Sequence, residues 1–461
     1  MRESGEAWVK ERIRGNFPAQ FRWGVATSSY QIEGAVTEDG RGESIWDRFS
    51  HTPGHVVSGE TGDVACDHYH RFRQDIALMR ELGIRSYRFS IAWPRVVPLG
   101  KGRAEERGLA FYDRLVDALL EAGIAPLATL YHWDLPQALQ DQGGWLTRDT
   151  AEAFADYAAT VGDRLGDRIP EFATHNEPWC TAVLGHETGM HAPGIRRREA
   201  ALRAAHHVLL SHGLAARALR AARSETRVGI VLNMETYYPA SDRPEDEEAV
   251  HRADVAQNRW YLDPVTRGSY PESIAAELEA IGDVVQSGDL EVVAQPLDFL
   301  GVNNYSSSIV AGEEENGNIR VRNVTPHDHV TDMDWPIVPD GLRDLLVHLS
   351  RDVTDVPLFV TENGAAFPDQ VSDDGKVHDP KRIEYLAAHI DAVGRAIDEG
   401  ARVQGYYLWS LLDNFEWSLG YSKRFGIVYT DVHQPSLRIP KDSARWYAAW
   451  IEHALARAPL A

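Results

Sequence analysis

Ile169-Pro170-Glu171-Phe172-Ala173-Thr174-His175-Asn176-Glu177-Pro178 and Pro357-Leu358-Phe359-Val360-Thr361-Glu362-Asn363-Gly364 share one construction. In each, a compact apolar run gives way to turn residues, and a Glu stands at the change. Short runs of β-branched, aliphatic or aromatic residues bounded by turn residues read as strands. Six further runs of this kind bring the strands to eight: Phe21–Ser28, Ser86–Ala92, Ala125–Tyr131, Phe172–Asn176, Val228–Met234, Phe299–Tyr305, Leu358–Thr361 and Val403–Ser410. Their near-continuous apolar character suits strands buried on both faces, as in a parallel sheet.

The segments between the strands have helical periodicity. In Leu109–Ala122, the residues Tyr112, Leu115, Val116, Leu119 and Leu120 form one face, and Gly123 stops the helix. Asp149–Leu165 repeats the pattern with Phe154, Tyr157, Ala158, Val161 and Leu165, and Asp149 with Glu152 reads as a capping pair. Asp67–Leu82 ends at Gly83 in the same way. Strand and helix alternating eight times imply right-handed β-α-β units closed into a (β/α)8 TIM barrel. No Pro/Gly/Ser-rich linker divides the chain, so residues 1–461 read as one elaborated catalytic domain. The long pieces Trp46–Gly62, Thr181–Arg198, Ser307–Pro339 and Asn363–Asp379 all follow strands. They are expected as loops that build a deep pocket at the C-terminal face of the barrel.

Composition narrows the function classes. Of 461 residues, 47 are Lys or Arg and 69 are Asp or Glu, a net charge of −22. A nucleic-acid binder needs a basic face, and an acidic chain disfavours anionic substrates. The acidic cluster from Asp242 to Glu248 reads as a solvated helix start. Two cysteines, Cys66 and Cys180, exclude a disulfide framework and a structural zinc site. Met1 to Asn16 is charged and lacks the apolar core of a signal peptide, and no stretch approaches the length of a membrane span. No membrane partner and a cytoplasmic location are expected. Oligomeric state is not legible.

Two carboxyl groups at the ends of two different strands are what cleavage of a glycosidic bond needs, one as acid and one as nucleophile. Glu177 and Glu362 are far apart in sequence, so only closure of the barrel could bring them together.

Several motifs then resemble a known family. They are Phe21–Ala35 (FRWGVATSSYQIEGA), Tyr87–Pro94 (YRFSIAWP), Tyr131–Pro136 (YHWDLP), Asn176–Pro178 (NEP), Thr361–Gly364 (TENG), Trp409–Trp417 (WSLLDNFEW) and Gly420–Gly426 (GYSKRFG). In this order, and over residues 17–447, the chain resembles glycoside hydrolase family 1, the β-glucosidase family.

The resemblance implies a retaining exo-β-glycosidase acting on small β-glycosides through a covalent glycosyl-enzyme, with no cofactor and no metal. It makes Glu177 the acid/base and Glu362 the nucleophile, supported by Arg88 and Tyr305. It also implies that Gln31, His132, Asn176, Asn303, Glu416 and Trp417 hold sugar hydroxyls, with Asn176 at the 2-hydroxyl. Trp409 offers an apolar face to the ring, and Trp133 and Phe425 read as pocket walls. Asn304 departs from the family, many members of which carry an aromatic there, and could alter packing near the pocket.

Other signals carry less. The histidines at Asp67–His70 and at His206, His207 and His212 lack a metalloenzyme spacing and read as packing groups. His175 reads as a structural neighbour of the acid/base. Gly100–Gly102 has no P-loop pattern. A 6-phospho-β-glycosidase is the nearest alternative, but a carboxylate at Glu416 near the sugar's 6-position would repel phosphate. A catalytically silent sugar-binding barrel is a further alternative, set against the presence of both carboxyls. Asn233 and Trp335 are plausible leaving-group contacts, and Trp335 reads equally as a loop anchor.

Overall fold

The structure is a computed structural model that describes residue 13, residues 15–315 and residues 317–457. Most of the charged stretch Met1–Asn16 therefore lies outside the described residues.

Eight parallel strands close into a barrel: β1 (Arg22–Ala26), β2 (Ser86–Ser90), β3 (Ala125–Tyr131), β4 (Glu171–Asn176), β5 (Arg227–Asn233), β6 (Phe299–Asn303), β7 (Leu358–Asn363) and β8 (Val403–Trp409). Each strand pairs with the next in sequence, and β8 pairs with β1. This is the (β/α)8 barrel expected from the periodicity. Helices lie between the strands and bury their apolar stripes against the sheet's outer face.

The helix Glu106–Glu121 shows why such segments form where they do. Leu109, Tyr112, Leu115, Val116 and Leu119 are buried at a spacing that aligns them on one face. The Glu105 side chain accepts from the Arg107 backbone N–H at its start. At its end Gly123 turns left-handed, so that Ile124 N–H reaches Leu119 O and Gly123 N–H reaches Leu120 O.

The expected capping pair on the next helix does not form. That helix runs Arg148–Leu165 from an N-cap at Thr147, which places Asp149 one residue inside it rather than at the cap. The helix expected over Asp67–Leu82 runs His68–Glu81, with Asp67 left-handed at its N-cap.

Inside the barrel, Ala26, Leu127, Ala173, Val231, Phe299, Phe359 and Tyr407 pack as one apolar cluster that also reaches Trp409 and Phe425. Below it, buried Glu171 pairs with both Arg22 and Arg227. The interior is a filled core, and a cavity lies above it at the C-terminal ends of the strands.

Part of what reads as loop over Ser307–Pro339 is sheet. Ser307–Glu315 and Asn318–Asn323 form an antiparallel pair, and Thr236–Pro239 joins it in parallel. The strands Val428–Asp431 and Gln434–Pro440 form a further antiparallel pair. Trp46 lies in a short helix, Ile45–Ser50, and Thr181 in a π-helical segment, Cys180–Glu187.

Candidate active site

Both glutamates stand where the barrel's register slips. On β4 the pairing to β5 is regular through Ala173–Gly229, then jumps to Asn176–Val231. On β7 the pairing to β6 jumps from Val360–Val302 to Glu362–Asn303, and the pairing to β8 shifts over the same residues. A bulge of this kind turns side chains out of the strand's alternation. Glu177, directly after β4, also has a left-handed backbone with φ 49°. Its N–H donates to Val231 O at 2.9 Å, and its carbonyl accepts from the N–H of Cys180 at 3.0 Å. Trp133 and Trp417 adopt left-handed φ as well, at 77° and 51°. Such conformations cost about 1–3 kcal/mol each, and surrounding packing must hold them.

The carboxylate of Glu362 is clamped from two sides. Arg88 Nη1 donates to Oε1 at 2.6 Å, and the Tyr305 hydroxyl donates to Oε2 at 2.6 Å. Arg88 in turn donates through Nη2 to Asn176 Oδ1 at 2.6 Å and through Nε to Thr129 Oγ1 at 3.1 Å. Glu177 has neutral donors only. Asn303 Nδ2 donates to Oε1 at 2.7 Å and the Cys180 thiol donates to Oε2 at 3.1 Å. Asn303 also donates to Asn176 Oδ1 at 3.0 Å and accepts from Thr361 Oγ1 at 2.7 Å. One continuous network thus joins the two carboxyl groups through Arg88, Asn176 and Asn303.

Electrostatics separates the pair. Burial, then the nearby charge of Glu362, pushes the Glu177 carboxyl up to about 7. Burial also raises Glu362, but Arg88 and the Tyr305 hydroxyl oppose it there. A cation in contact favours the ionised form, so Glu362 is the member that ionises first. A third carboxyl, Glu416, is pushed up to about 8 by burial and by the charges of Glu362 and Glu177. Its Oε2 is enclosed and has no protein partner.

These groups surround a cavity of about 560 Å³. Of the expected sugar-holding set, His132, Asn303, Tyr305, Trp409, Glu416, Trp417 and Phe425 line it, whereas Gln31, Asn176 and Arg88 stand behind its wall. Gln31 uses both amide hydrogens on Asn414 Oδ1 and the Phe415 carbonyl, at 3.0 and 2.8 Å. His132 is sandwiched between Trp409 and Trp417, with ring centroids at 5.8 and 5.9 Å and nearly parallel planes. Asn176 Nδ2 donates to His132 Nε2 at 3.1 Å. His132 is therefore neutral with its proton on Nδ1, and that N–H has no protein partner. Burial holds its pKa well below the usual value, in agreement with that state. An enclosed donor without a partner is suited to a sugar hydroxyl.

Trp335 and Asn233 are both on the cavity wall. Trp335 packs its ring 5.2 Å from Tyr305 and 6.0 Å from Phe425. Trp133 holds the Asn176 carbonyl through its indole N–H at 2.9 Å. Asn304 points away from the cavity and ties the end of β6 to the carbonyls of Met234 and Ser306. His175 is buried against Phe154 and bonds Ser211 at 2.8 Å, as expected of a structural neighbour. Lys423 pairs with Asp332. Among the described residues, no cluster of His, Cys, Asp or Glu could hold a metal ion, and no helix is long and apolar enough to cross a membrane.

Sequence reasoning passed over Cys180, Thr361, Thr129, Glu235 and His191. The first three bond the network, and Cys180, Glu235 and His191 line the cavity. The spacing of Cys180, three residues past Glu177, was a usable signal, because one helical turn returns it to that carboxyl.

Residues 13–455 match the family model described as glycosyl hydrolase family 1. The chain is 49% identical over 441 residues to β-glucosidase A of Acetivibrio thermocellus, an alignment covering 95% of this chain and 98% of that one. It is 46% identical over 467 residues to a bifunctional β-D-glucosidase/β-D-fucosidase of Bifidobacterium breve, covering 96% and 99%. Among solved structures, a family 1 β-glucosidase of Thermotoga maritima in complex with isofagomine lactam superposes with a TM-score of 0.92 at 46% identity, covering 95% and 99%.

Proposed function

This chain belongs to glycosyl hydrolase family 1, and on that premise we propose how its site removes terminal β-D-glucosyl residues with retention at the anomeric carbon. It is a β-glucosidase, an O-glycoside hydrolase of the retaining type. Glu362 is the nucleophile and Glu177 the acid/base. The observation that carries this assignment is the asymmetry of their partners: a guanidinium and a phenol on Glu362, neutral donors alone on Glu177.

In the first step Glu362 attacks the anomeric carbon while the Glu177 proton passes to the departing oxygen. Glu362 is then an ester and carries no charge. The Coulombic contribution that had raised Glu177 disappears, so Glu177 becomes a stronger acid and rests as the carboxylate. It accepts a proton from water as that water attacks the anomeric carbon and breaks its bond to the Glu362 oxygen, which releases the sugar, returns Glu362 as the carboxylate and leaves Glu177 protonated.

The donor sugar lies against Trp409, with hydroxyls met by His132, Asn303, Glu416 and Trp417, and with Asn176 and Gln31 supporting from behind. Tyr305 orients the nucleophile. Trp335 and Asn233, on the cavity wall, meet the leaving group of a small glucoside or short cello-oligosaccharide. The Bifidobacterium relative supports a secondary activity on β-fucosides. Residues 1–461 act as one catalytic domain, and the acidic, cysteine-poor composition supports work in the cytoplasm.

Initial rates on nitrophenyl β-glucoside, β-galactoside, β-fucoside and 6-phospho-β-glucoside, with Glu362→Ala alongside, test the reading. Turnover of the plain sugars, led by glucoside and lost in the variant, is expected. Turnover of the phosphorylated sugar alone overturns the role given to Glu416, and no turnover of any favours a silent binder.

A further inference from the structure

Cys180 has no part in the mechanism above, yet it touches the group that changes charge twice in each turnover. Its backbone N–H donates to the Glu177 carbonyl at 3.0 Å, closing one turn at the entry to the π-helical segment Cys180–Glu187. That turn returns its side chain to the carboxyl, where Sγ lies 3.1 Å from Oε2. Among the described residues no other group bonds Oε2, while Oε1 is held by the Asn303 amide. Cys180 is buried, and it lines the cavity beside Glu177.

We infer that Cys180 is the positioning residue of the acid/base, a thiol that holds Oε2 of Glu177 in both of the carboxyl's protonation states. The inference rests on Glu177 being the acid/base.

An amide N–H can only donate, so Asn303 keeps the acidic proton off Oε1 and leaves Oε2 to carry it. A thiol is different, because S–H donates weakly and sulfur accepts weakly. Toward the carboxylate, Cys180 donates. Toward the acid, rotation about Cβ–Sγ lets it donate to the remaining lone pair or accept the O–H. The bond from Cys180 therefore favours the carboxylate of Glu177, but less than a hydroxyl would, and it leaves the acid with a partner as well, which suits a residue that must serve as acid and then as base. The thiol does not itself ionise in this role, since burial and the charge of Glu177 push it well above its ordinary value.

The other ionisable groups facing the pair are Glu362 on β7, Arg88 on β2, Glu416 after β8, Tyr305 after β6, and Tyr261 on the helix Trp260–Arg267 behind Cys180. They set the field at Glu177 but leave Oε2 to the thiol.

The test is the pH dependence of kcat/KM on cellobiose, whose poor leaving group needs the acid, for the wild type, Cys180→Ser and Cys180→Ala. A serine hydroxyl donates more strongly and favours the carboxylate, so the basic limb is expected to fall by about half a pH unit. Alanine leaves Oε2 without a donor, so the limb is expected to rise by about as much. Opposite shifts from two small substitutions are not produced by a packing role. Unmoved limbs, or shifts in the same direction, overturn the inference while leaving Glu177 as acid/base. Glu177→Gln measured alongside separates the two: if it keeps cellobiose turnover with a wild-type basic limb, the acid/base assignment itself fails. Thermal melts check folding. If Cys180→Ala does not fold, the downward shift in Cys180→Ser decides the matter alone.

Discussion

Nη1 of Arg88 lies 2.6 Å from Oε1 of Glu362, and both side chains are almost wholly buried. A carboxylate taken out of water pays a desolvation cost that only close partners offset. Arg88 supplies one full charge, and three of its other N–H groups bond Asn176, Thr129 and the Thr361 carbonyl. The guanidinium therefore does two jobs. It favours the ionised form of Glu362, the proposed nucleophile, and it fixes the amide that touches His132 and Asn303.

Replacing Arg88 by Gln removes the charge and leaves Glu362 buried without it. The acidic limb of kcat/KM is expected to move to higher pH, because the cation that lowers the Glu362 pKa is gone. Stability is expected to drop by about 3–5 kcal/mol, the usual cost of breaking a buried pair from one side. Urea unfolding and a pH–rate profile measure the two effects, and an unmoved acidic limb would show that Arg88 does not set the charge of Glu362.

Glu177→Gln keeps the shape of the acid/base and its bond from Asn303 while removing the proton it delivers. Substrates with poor leaving groups such as cellobiose are expected to lose about 10²–10⁴-fold in kcat/KM, the range of general acid catalysis. Dinitrophenyl β-glucoside needs no protonation of its leaving group and should lose far less in the first step. Equal losses on the two substrates would count against the acid role.

Gly364 shows how tightly the nucleophile's loop meets the neighbouring strand. A Cβ built there would lie 1.7 Å from the Trp409 carbonyl oxygen, a backbone atom that no rotamer change can move aside. Gly364→Ala is expected to cost about 1–3 kcal/mol or more, and to push back the residue that carries the proposed sugar platform. A raised KM for nitrophenyl β-glucoside together with a lower melting temperature is the expected pair of results. Wild-type values for both would mean that the loop has room that the geometry does not show.

Most barrel strands carry a compact apolar stretch, so their runs stand out, and Ala125–Tyr131 is observed with the bounds the sequence suggests. Two-residue polar ends such as Glu362-Asn363 belong to β7 yet read as turn, because their side chains are satisfied by Arg88, Tyr305, Tyr385 and Tyr406 from other elements. Ser307–Glu315 and Asn318–Asn323 could not be seen as strands. The first ends in three consecutive exposed glutamates and the second has no buried residue, and neither shows the continuous apolar run of a barrel strand. The left-handed backbones at Trp133, Glu177 and Trp417 are likewise invisible in sequence, since non-glycine residues there are held by tertiary contacts. The two glutamates, with Arg88, Asn176 and Asn303 that join them, stood out from motif and topology; the hydroxyls of Thr361 and Thr129 that bond this network did not, because single hydroxyls have no distinctive pattern.

Glu416 offers a prediction on stability rather than rate. Its carboxyl is pushed up to about 8 in the folded chain, against about 4.3 in an unfolded one. The folded state thus binds this proton more tightly. That favours folding fully below the unfolded value, and the advantage is lost as pH rises through about 8. Glutamine has the same shape and never ionises. Glu416→Gln is therefore expected to melt close to the wild type at pH 4 and progressively above it toward pH 9, while binding the donor sugar less well. Melting curves across that range decide it. A variant that is less stable than the wild type at pH 9 would mean that the Glu416 carboxylate has a stabilising partner in the folded protein, and the argument for a strained third carboxyl at the sugar site would fall.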